Sequence, residues 1–248
     1  MLRVFEPSLT WNDKFTVLKT LYKNNISGQS PSVYKFEEAC ANKFDRKYGI
    51  SVSNGSVALD IALQSLDLKE DDEVILPSFT IISCLAAIVR TGAKPIFCDV
   101  DSKTWNMRLE DIEKVYTSKT RAVLIVHTYG LTAEATKISN YCKENDLILI
   151  EDAAEAHGQV ENDKKCGSFG LISSLSFYAN KHVTTGEGGM VMTNSDKYAS
   201  TLRQMRNLDF TPENRFQHDN FYWNYRLGRN SSSFRFISTR QSSKNYRI

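Results

Sequence analysis

Short apolar segments alternate with segments of helical periodicity from residue 48 to residue 152, and this alternation restricts the fold more than any other feature of the sequence. The predicted strands are "YGISVS", "EVILP", "PIFCDV", "RAVLIVH" and "LILIED", and the predicted helices between them cover 55–67, 81–91, 109–117 and 133–145. The nearly continuous Val, Ile and Leu runs indicate strands that are buried on both faces. We therefore predict an α/β fold with a mainly parallel sheet covered by helices.

Further elements are predicted on both sides of this alternation. Apolar residues at helical spacing around 15–22 and 33–44 predict two helices before the first strand, and "SSLSFY" and "GGMVMTN" predict strands before a helix at 196–206. From Arg229 onward the chain is rich in Ser, Arg and Asn without sustained apolar periodicity, which is typical of a segment that cannot hold a core. The sequence thus predicts one domain over residues 1–228 and a disordered tail over 229–248.

Composition limits the classes of partner. The 31 basic and 29 acidic residues give a net charge of +2, so composition favours neither a nucleic acid nor an anionic membrane as partner. No run of about 18 uncharged apolar residues suggests a membrane span, and the N-terminus does not resemble a signal peptide. Five cysteines without a C-x-x-C pair and four histidines without ligand spacing argue against disulfides and zinc. We expect a cytoplasmic protein whose partners are small molecules or a second copy.

Two candidate ligand contacts follow predicted strands, where ligands bind in parallel α/β sheets. In "SVSNGSVALDIAL" the N–H groups at Gly55 and Ser56 begin a helix and suit a phosphate, although an ordinary helix cap explains the same residues. In "LILIEDAAEAHG" Asp152 ends a buried strand, where its carboxylate either solvates a helix start or holds a cationic ring nitrogen.

A third candidate is Lys181 in "SFYANKHVTTGEGG". A lysine among apolar strands loses hydration, and its neutral amine then becomes a nucleophile that is able to form a Schiff base; the alternative is a solvated turn lysine. The "GEGG" piece leads into a strand instead of a helix, so it does not fit a dinucleotide loop. A Rossmann-like nucleotide module requires a glycine-rich loop after the first strand and an acid at the end of the second, where the chain has only "NGS" and "LPSFT". Together the three candidates suggest a ligand with a phosphate, a protonatable aromatic nitrogen and an aldehyde, which are the groups of pyridoxal 5′-phosphate (PLP).

The motifs "NGSVAL", "VILPSFT", "IEDAAEAHG", "SFYANK", "GEGG" and "WNYR" appear in an order and at separations that resemble the DegT/DnrJ/EryC1/StrS family of sugar aminotransferases. The resemblance covers about residues 7–228. It implies the large domain of the aspartate aminotransferase fold (fold type I), and it implies that PLP forms its Schiff base with Lys181. It further assigns Asp152 to the pyridine nitrogen, and the phosphate side of the cofactor to Gly55, Ser56, Val57 and Ser176.

Other positions receive weaker assignments from the same resemblance. Glu155 lies beside the cofactor in the family, although a helix-start carboxylate explains it equally well. Ile81 stands where many relatives place an aromatic ring against the cofactor, and an aliphatic side chain can also cover that ring. Asn224 of "NYR" resembles a residue that reaches the phosphate of the neighbouring subunit, which implies a homodimer. His157 is equally well explained as a packing residue.

The implied activity is transfer of an amino group, with glutamate as donor, to the keto group of a nucleotide-linked 4-keto-6-deoxysugar for surface polysaccharide. "EDAAEAHG" and "TWNM" resemble the branch that makes 4-amino-4,6-dideoxy sugars such as GDP-perosamine. Beyond Gly228 the resemblance stops, without the C-terminal small domain that relatives carry. We therefore expect uncovered apolar surface. The alternative function is a truncated, catalytically inactive remnant that binds PLP or pairs with a full-length relative.

Overall fold

The computed structural model describes residues 7–23, 27–211 and 216–228. Two helices, α1 (Trp11–Tyr22) and α2 (Pro31–Lys43), precede the alternating part of the chain. That part consists of β1 (Tyr48–Val52), α3 (Gly55–Gln64), β2 (Glu73–Pro77), α4 (Ile82–Val89), β3 (Lys94–Cys98), α5 (Leu109–Val115), β4 (Thr120–Val126), α6 (Ala135–Glu144) and β5 (Ile148–Asp152). A small hairpin, β6 (Val160–Glu161) and β7 (Lys164–Lys165), follows, and then β8 (Ile172–Ser176), β9 (Gly189–Thr193) and α7 (Asp196–Arg206).

One seven-stranded sheet organises the fold, in the strand order β1-β9-β8-β5-β4-β2-β3. The pairs β8–β5, β5–β4, β4–β2 and β2–β3 are parallel, and β9 runs antiparallel to both of its neighbours, β8 and β1. Apolar clusters lie on both faces of the sheet, under α2, α5 and α6 on one side and under α3, α4 and α7 on the other. The predicted mainly parallel, helix-covered α/β architecture is therefore confirmed.

Local sequence signals account for the starts of α1 and α3. Asn54 accepts a hydrogen bond from the N–H of Val57, which caps α3, and Thr10 forms a capping box with Asp13 at the start of α1. The predicted helix 196–206 coincides with α7, whereas α3 ends three residues before the predicted limit at 67. The helix stops early because Ser65 caps its C-terminus and Asp67 has a φ of 53°, in the left-handed region that cannot continue a helix.

Strand β3 departs from the prediction that the strands are buried on both faces. It lies at the edge of the sheet, and Phe97 within it exposes 53% of its surface. The apolar stripe of α1, formed by Trp11, Phe15, Leu18 and Tyr22, is also exposed. Hydrophobicity alone predicts burial of such residues, but the position of an element in the sheet or on its surface decides whether anything packs against it.

The carboxylate of Glu151 is fully buried at the end of β5 and is bound from several directions. It accepts hydrogen bonds from His127 Nε2 at 2.9 Å and from the backbone N–H groups of Gly167, Phe169 and Gly170. The Arg46 guanidinium binds the carbonyls of Gly167 and Gly170, at 2.7 Å each. The Cys166 thiol brings a third ligand-type atom within 4.8 Å, but the hydrogen bonds already occupy both carboxylate oxygens. This network joins β5 to the segment that enters β8.

Three further expectations concern the cysteines, a membrane span and the tail. All five cysteines lie in the described part of the chain, where each is buried and free. No helix in the described ranges combines the length and apolar character that crossing a bilayer requires. The predicted disordered tail, residues 229–248, lies outside the described residues.

Candidate active site

A cavity of about 720 Å³ opens where the carboxyl ends of β2, β4, β5 and β8 meet the first turn of α3. Its walls bring together Gly55, Ser56, Ile81, Asp152, Glu155, Ser176 and Lys181, which the sequence places far apart. Parallel strands deliver these residues to a single edge of the sheet because their carboxyl ends point the same way. The size and mixed lining are those of a small-molecule or cofactor site.

Asp152 is buried at the floor of this cavity. Its Oδ1 accepts hydrogen bonds from the backbone N–H of Ala154 and from Ser174 Oγ, both at 3.1 Å, and its Oδ2 accepts a weak one from Cys84 Sγ at 3.5 Å. Burial raises the pKa of Asp152, and these hydrogen bonds and the charge of Lys181 offset only part of that effect. Because its partner is only a weak donor, Oδ2 is the better placed of the two oxygens to accept a proton-bearing ligand nitrogen.

Asp152→Asn is expected to stabilise the cofactor-free protein at neutral pH by about 1 kcal/mol, because the amide removes a buried charge while keeping an acceptor for Ala154 and Ser174. A carboxyl whose folded pKa is raised loses stability as pH rises from its unfolded pKa through its folded pKa. The stabilisation should therefore vanish near pH 4, about the unfolded pKa of Asp. Thermal melts of both proteins across this pH range test it, and equal melting temperatures at neutral pH would contradict it.

Lys181 reaches the same cavity from the segment after β8. Its Nζ lies 2.9 Å from Glu155 Oε1, and only 15% of its side chain is exposed. The other carboxylate oxygen of Glu155, Oε2, accepts the backbone N–H of Tyr129 at 2.8 Å. No helix begins at Glu155, which lies in a turn between β5 and β6, so the helix-start alternative is not what the structure shows; its carboxylate links the amine to the chain segment that follows β4.

The anion end of the cavity is built from a close approach of two elements. A Cβ on Gly55 would lie 2.8 Å from Ser176 Cβ, so glycine is needed for the first turn of α3 to contact the end of β8. The N–H groups of Gly55 and Ser56 lie in that first turn, where no preceding helical carbonyl exists to accept them. The N–H of Val57, by contrast, donates to Asn54, and Val57 does not belong to the residues that line the cavity.

Of the three remaining residues named from the sequence, one lines the cavity and two lie outside it. Ile81 lines the cavity with an exposed side chain. Asn224 lies outside the cavity, in an isolated bridge with Asn207, so its predicted contact with a neighbouring subunit stays a prediction. His157 packs its ring against Phe44 and Phe177, and burial lowers its pKa to about 3, which supports the packing role.

Sequence reasoning missed several residues that complete the site. Ser174 could have been found, because it lies two residues before Ser176 on β8 and so shares its face of the sheet. Cys84 carries no such signal, since only the packing of α4 over the sheet brings it to Asp152. Phe79 and Tyr129 line the cavity mouth from two loops, which periodicity does not address.

Comparison with known proteins gives consistent relatives. The chain is 41% identical over 224 residues to the GDP-perosamine synthase of Escherichia coli O157:H7, which covers 90% of this chain and 62% of that protein. It is 37% identical over 227 residues to the GDP-perosamine synthase of Vibrio cholerae, with coverage of 92% and 62%. The chain thus spans less than two thirds of the length of these curated relatives.

A solved structure agrees with the sequence relatives. The aminotransferase from Psychrobacter cryohalolentis superposes with a TM-score of 0.86 at 33% identity, covering 93% of this chain and 61% of that one. The fold is that of PLP-dependent aminotransferases of fold type I, so the predicted fold class is confirmed and PLP is the cofactor that the family implies. The family model for DegT/DnrJ/EryC1/StrS aminotransferases matches residues 9–235. From its sequence, its sheet and the residues gathered at the strand ends, this chain belongs to the DegT/DnrJ/EryC1/StrS aminotransferase family.

Proposed function

We propose that this chain carries the PLP-binding part of the active site of an aminotransferase. The enzyme converts the keto group of a nucleotide-linked 4-keto-6-deoxysugar to an amine, with glutamate as donor. The observation that carries the proposal is the convergence of Lys181, Asp152 and the first turn of α3 in one cavity. The relatives named GDP-perosamine synthase support a nucleotide-sugar substrate. Such a reaction belongs to surface-polysaccharide biosynthesis in the cytoplasm, and Asn224 is proposed to complete the site of a second copy in a homodimer.

The residues fit PLP at each of its functional groups. Gly55 leaves room between α3 and β8 where any side chain would clash, and the helix start there supplies N–H groups and a favourable dipole for a phosphate. Ser176 places a hydroxyl beside the same space. At the other end, Asp152 Oδ2 offers an acceptor for the ring nitrogen. Lys181 supplies the only lysine amine among the residues described as lining the cavity, where the aldehyde would bind.

Each side chain then has a role that its position supports. When bound, PLP supplies an electron sink that stabilises negative charge at the carbon being deprotonated. Asp152 holds a proton on the ring nitrogen, because a buried carboxylate next to that nitrogen favours the cationic form. Lys181 would hold the cofactor through its amine, and that amine, when free, would be placed to move a proton between the reacting carbons. Glu155 orients that amine through the 2.9 Å contact with Nζ.

Gly55→Ala is expected to weaken PLP binding by roughly tenfold or more, because an added methyl 2.8 Å from Ser176 Cβ forces α3 away from β8, and such overpacking costs about 1–3 kcal/mol. Absorbance titration of the variant with PLP measures the effect. Gly228→Ala is the matched control, since a Cβ there meets no atom within 4 Å. Equal PLP affinity in both variants would argue against the anion site.

The function itself is tested by incubating the purified chain with PLP, glutamate and a nucleotide-linked 4-keto-6-deoxysugar. We expect formation of 2-oxoglutarate and of the amino sugar. If PLP binds to Lys181 but no 2-oxoglutarate forms, the alternative of a catalytically inactive, PLP-binding chain is favoured instead. If PLP does not bind at all, the proposed site is wrong.

A further inference from the structure

Three aromatic rings form a cluster at the mouth of the cavity: Phe79 after β2, Trp105 before α5, and Tyr129 after β4. Their ring centroids are 5.0 Å apart for Phe79–Trp105, 5.8 Å for Trp105–Tyr129 and 6.4 Å for Phe79–Tyr129. The three residues nevertheless expose 41%, 45% and 69% of their surfaces, respectively. Phe79 and Tyr129 also line the cavity, so the cluster continues the cavity wall outward.

The backbone holds two of these rings in an uncommon conformation. Trp105 has a φ of 58° and Tyr129 a φ of 52°, in the left-handed region that bulky residues rarely adopt. Such residues cost of order 1–3 kcal/mol each and persist where the surrounding structure enforces them, most often at functional sites. Here the N–H of Trp105 donates to the Asp101 carbonyl at 2.8 Å, and the N–H of Tyr129 donates to Glu155 at 2.8 Å.

A buried asparagine joins the two loops that carry the rings. Asn106, in the "TWNM" motif, accepts the backbone N–H of Thr128 at 2.9 Å and donates to the Leu131 carbonyl at 3.3 Å. These bonds fix the Trp105 loop against the Tyr129 loop across more than 20 residues of sequence. A polar side chain is thus buried to keep adjacent aromatic rings in place while their surfaces stay exposed, which is the preorganisation expected of a binding surface.

The position of the cluster relative to Lys181 indicates which part of a substrate it meets. Phe79 and Tyr129 line the same cavity as Lys181, and the backbone N–H of Tyr129 donates to the Glu155 carboxylate that contacts the Lys181 amine. A nucleotide-linked sugar whose keto carbon faces Lys181 meets these rings when its nucleotide extends along that wall of the cavity. Aromatic side chains bind the flat face of any nucleobase by stacking.

We propose that Phe79, Trp105 and Tyr129 form a stacking platform for the nucleobase of the substrate. This inference rests on the proposed function, because it assumes that the sugar is nucleotide-linked. Within the platform, Trp105 is the outermost ring, since it contacts the other two but does not line the cavity itself. The ring planes are inclined to one another by 58–70°, so a planar heterocycle stacks on the face of one ring while the other two rings border it. Such a surface recognises a planar heterocycle in preference to a phosphate or a sugar hydroxyl.

Fluorescence of Trp105 gives a direct test that needs no turnover. Trp11→Phe together with Trp223→Phe leaves Trp105 as the single tryptophan, and both replaced residues are well exposed, at 84% and 67%. Titration of this PLP-loaded variant with GDP, guanosine monophosphate, inorganic pyrophosphate and mannose compares the parts of the ligand. We expect GDP and guanosine monophosphate to quench the fluorescence, and pyrophosphate and mannose to leave it unchanged.

Calorimetric titration with GDP then measures the contribution of each ring. Trp105→Asn and Tyr129→Asn remove a ring but keep a residue that tolerates positive φ, so the loops are not additionally strained. Each should weaken GDP binding by roughly tenfold or more, whereas Trp105→Phe should retain most of it. Trp223→Phe is the control and should bind GDP as the parent does. Melting temperatures of the variants verify that each is folded.

The outcomes separate this platform from the proposed function. Unchanged GDP affinity in Trp105→Asn, or quenching by pyrophosphate or mannose instead of the guanine nucleotides, would overturn the platform. Retained GDP binding in a protein whose Lys181 fails to bind PLP would support the platform and overturn the proposed function. If PLP binds normally but neither asparagine variant changes the affinity for GDP, the platform is overturned and the proposed function is supported.

Discussion

Lys181→Ala is expected to abolish the visible absorption band of bound PLP and to lower transamination by roughly 10³-fold or more, because the change removes both the covalent attachment and the amine that moves the proton. In the parent protein, borohydride reduction should fix the cofactor on Lys181, where peptide mass spectrometry detects it. The side chain already lies in the cavity, 2.9 Å from the Glu155 carboxylate, so no rearrangement is needed.

Two controls make this result specific to the amine of Lys181. Lys181→Arg retains a cation next to Glu155 but cannot form a Schiff base, so it should lose the band as completely as the alanine variant does. Lys165→Ala removes a lysine that pairs with Asp45 outside the cavity, and it should leave the band intact. A parent spectrum that persists in Lys181→Ala would assign the cofactor to another residue and would remove the proposed site.

Glu151→Ala should lower the free energy of unfolding by about 3–5 kcal/mol, the largest stability effect that we expect for a single substitution in this chain. The change leaves four hydrogen-bond donors buried without an acceptor, including His127 Nε2 and the N–H of Phe169, and it leaves the buried Arg46 without a nearby opposite charge. Urea denaturation of the cofactor-free proteins measures it. Asp71→Ala, which breaks an exposed ion pair with Lys94, is the control and should leave the free energy of unfolding almost unchanged, because solvent screens exposed ion pairs.

The loss of unfolding free energy in Glu151→Ala should depend on pH. Burial acts to raise the pKa of Glu151, but the hydrogen bonds from His127 and Gly167 and the charge of Arg46 outweigh it, so its pKa lies below the usual value. A lowered folded pKa contributes stability above the unfolded pKa of about 4.3, and this stability is lost as pH falls through the folded pKa. The difference between parent and Glu151→Ala should therefore shrink in acid. A loss no larger than that of Asp71→Ala at neutral pH would contradict the account.

Neighbouring carboxylates show how much of the site the sequence could predict. Asp152 was singled out because it ends a buried strand, and the structure places it at the cavity floor. Glu151 precedes it by one residue, but strand alternation turns it to the other face of the sheet, where it binds His127 and the segment at Gly167. Strand periodicity predicts that the two side chains point apart, but not what either one meets.

Local sequence pattern also does not predict how deeply a strand is buried. The sequence "PIFCDV" has the apolar content of an inner strand, yet β3 lies at the edge of the sheet with Phe97 exposed. Val57 is predicted, together with Gly55 and Ser56, to bind the phosphate side of the cofactor, but its N–H donates to the Asn54 cap. In both cases the residue type suits the predicted role, but the surrounding structure gives the residue a different one.

Periodicity and residue chemistry over a few positions are enough to predict the alternation of strands and helices, the strand-end positions of Asp152 and Ser176, the place of Lys181 after β8, and the glycine at the start of α3. Long-range packing, in contrast, joins Glu155 to both Lys181 and Tyr129, ties two loops together through Asn106, and brings Phe79, Trp105 and Tyr129 into contact at the cavity mouth. Those contacts connect residues more than 20 positions apart. Their partners are selected by sheet order and loop packing, on which local sequence preferences carry no information.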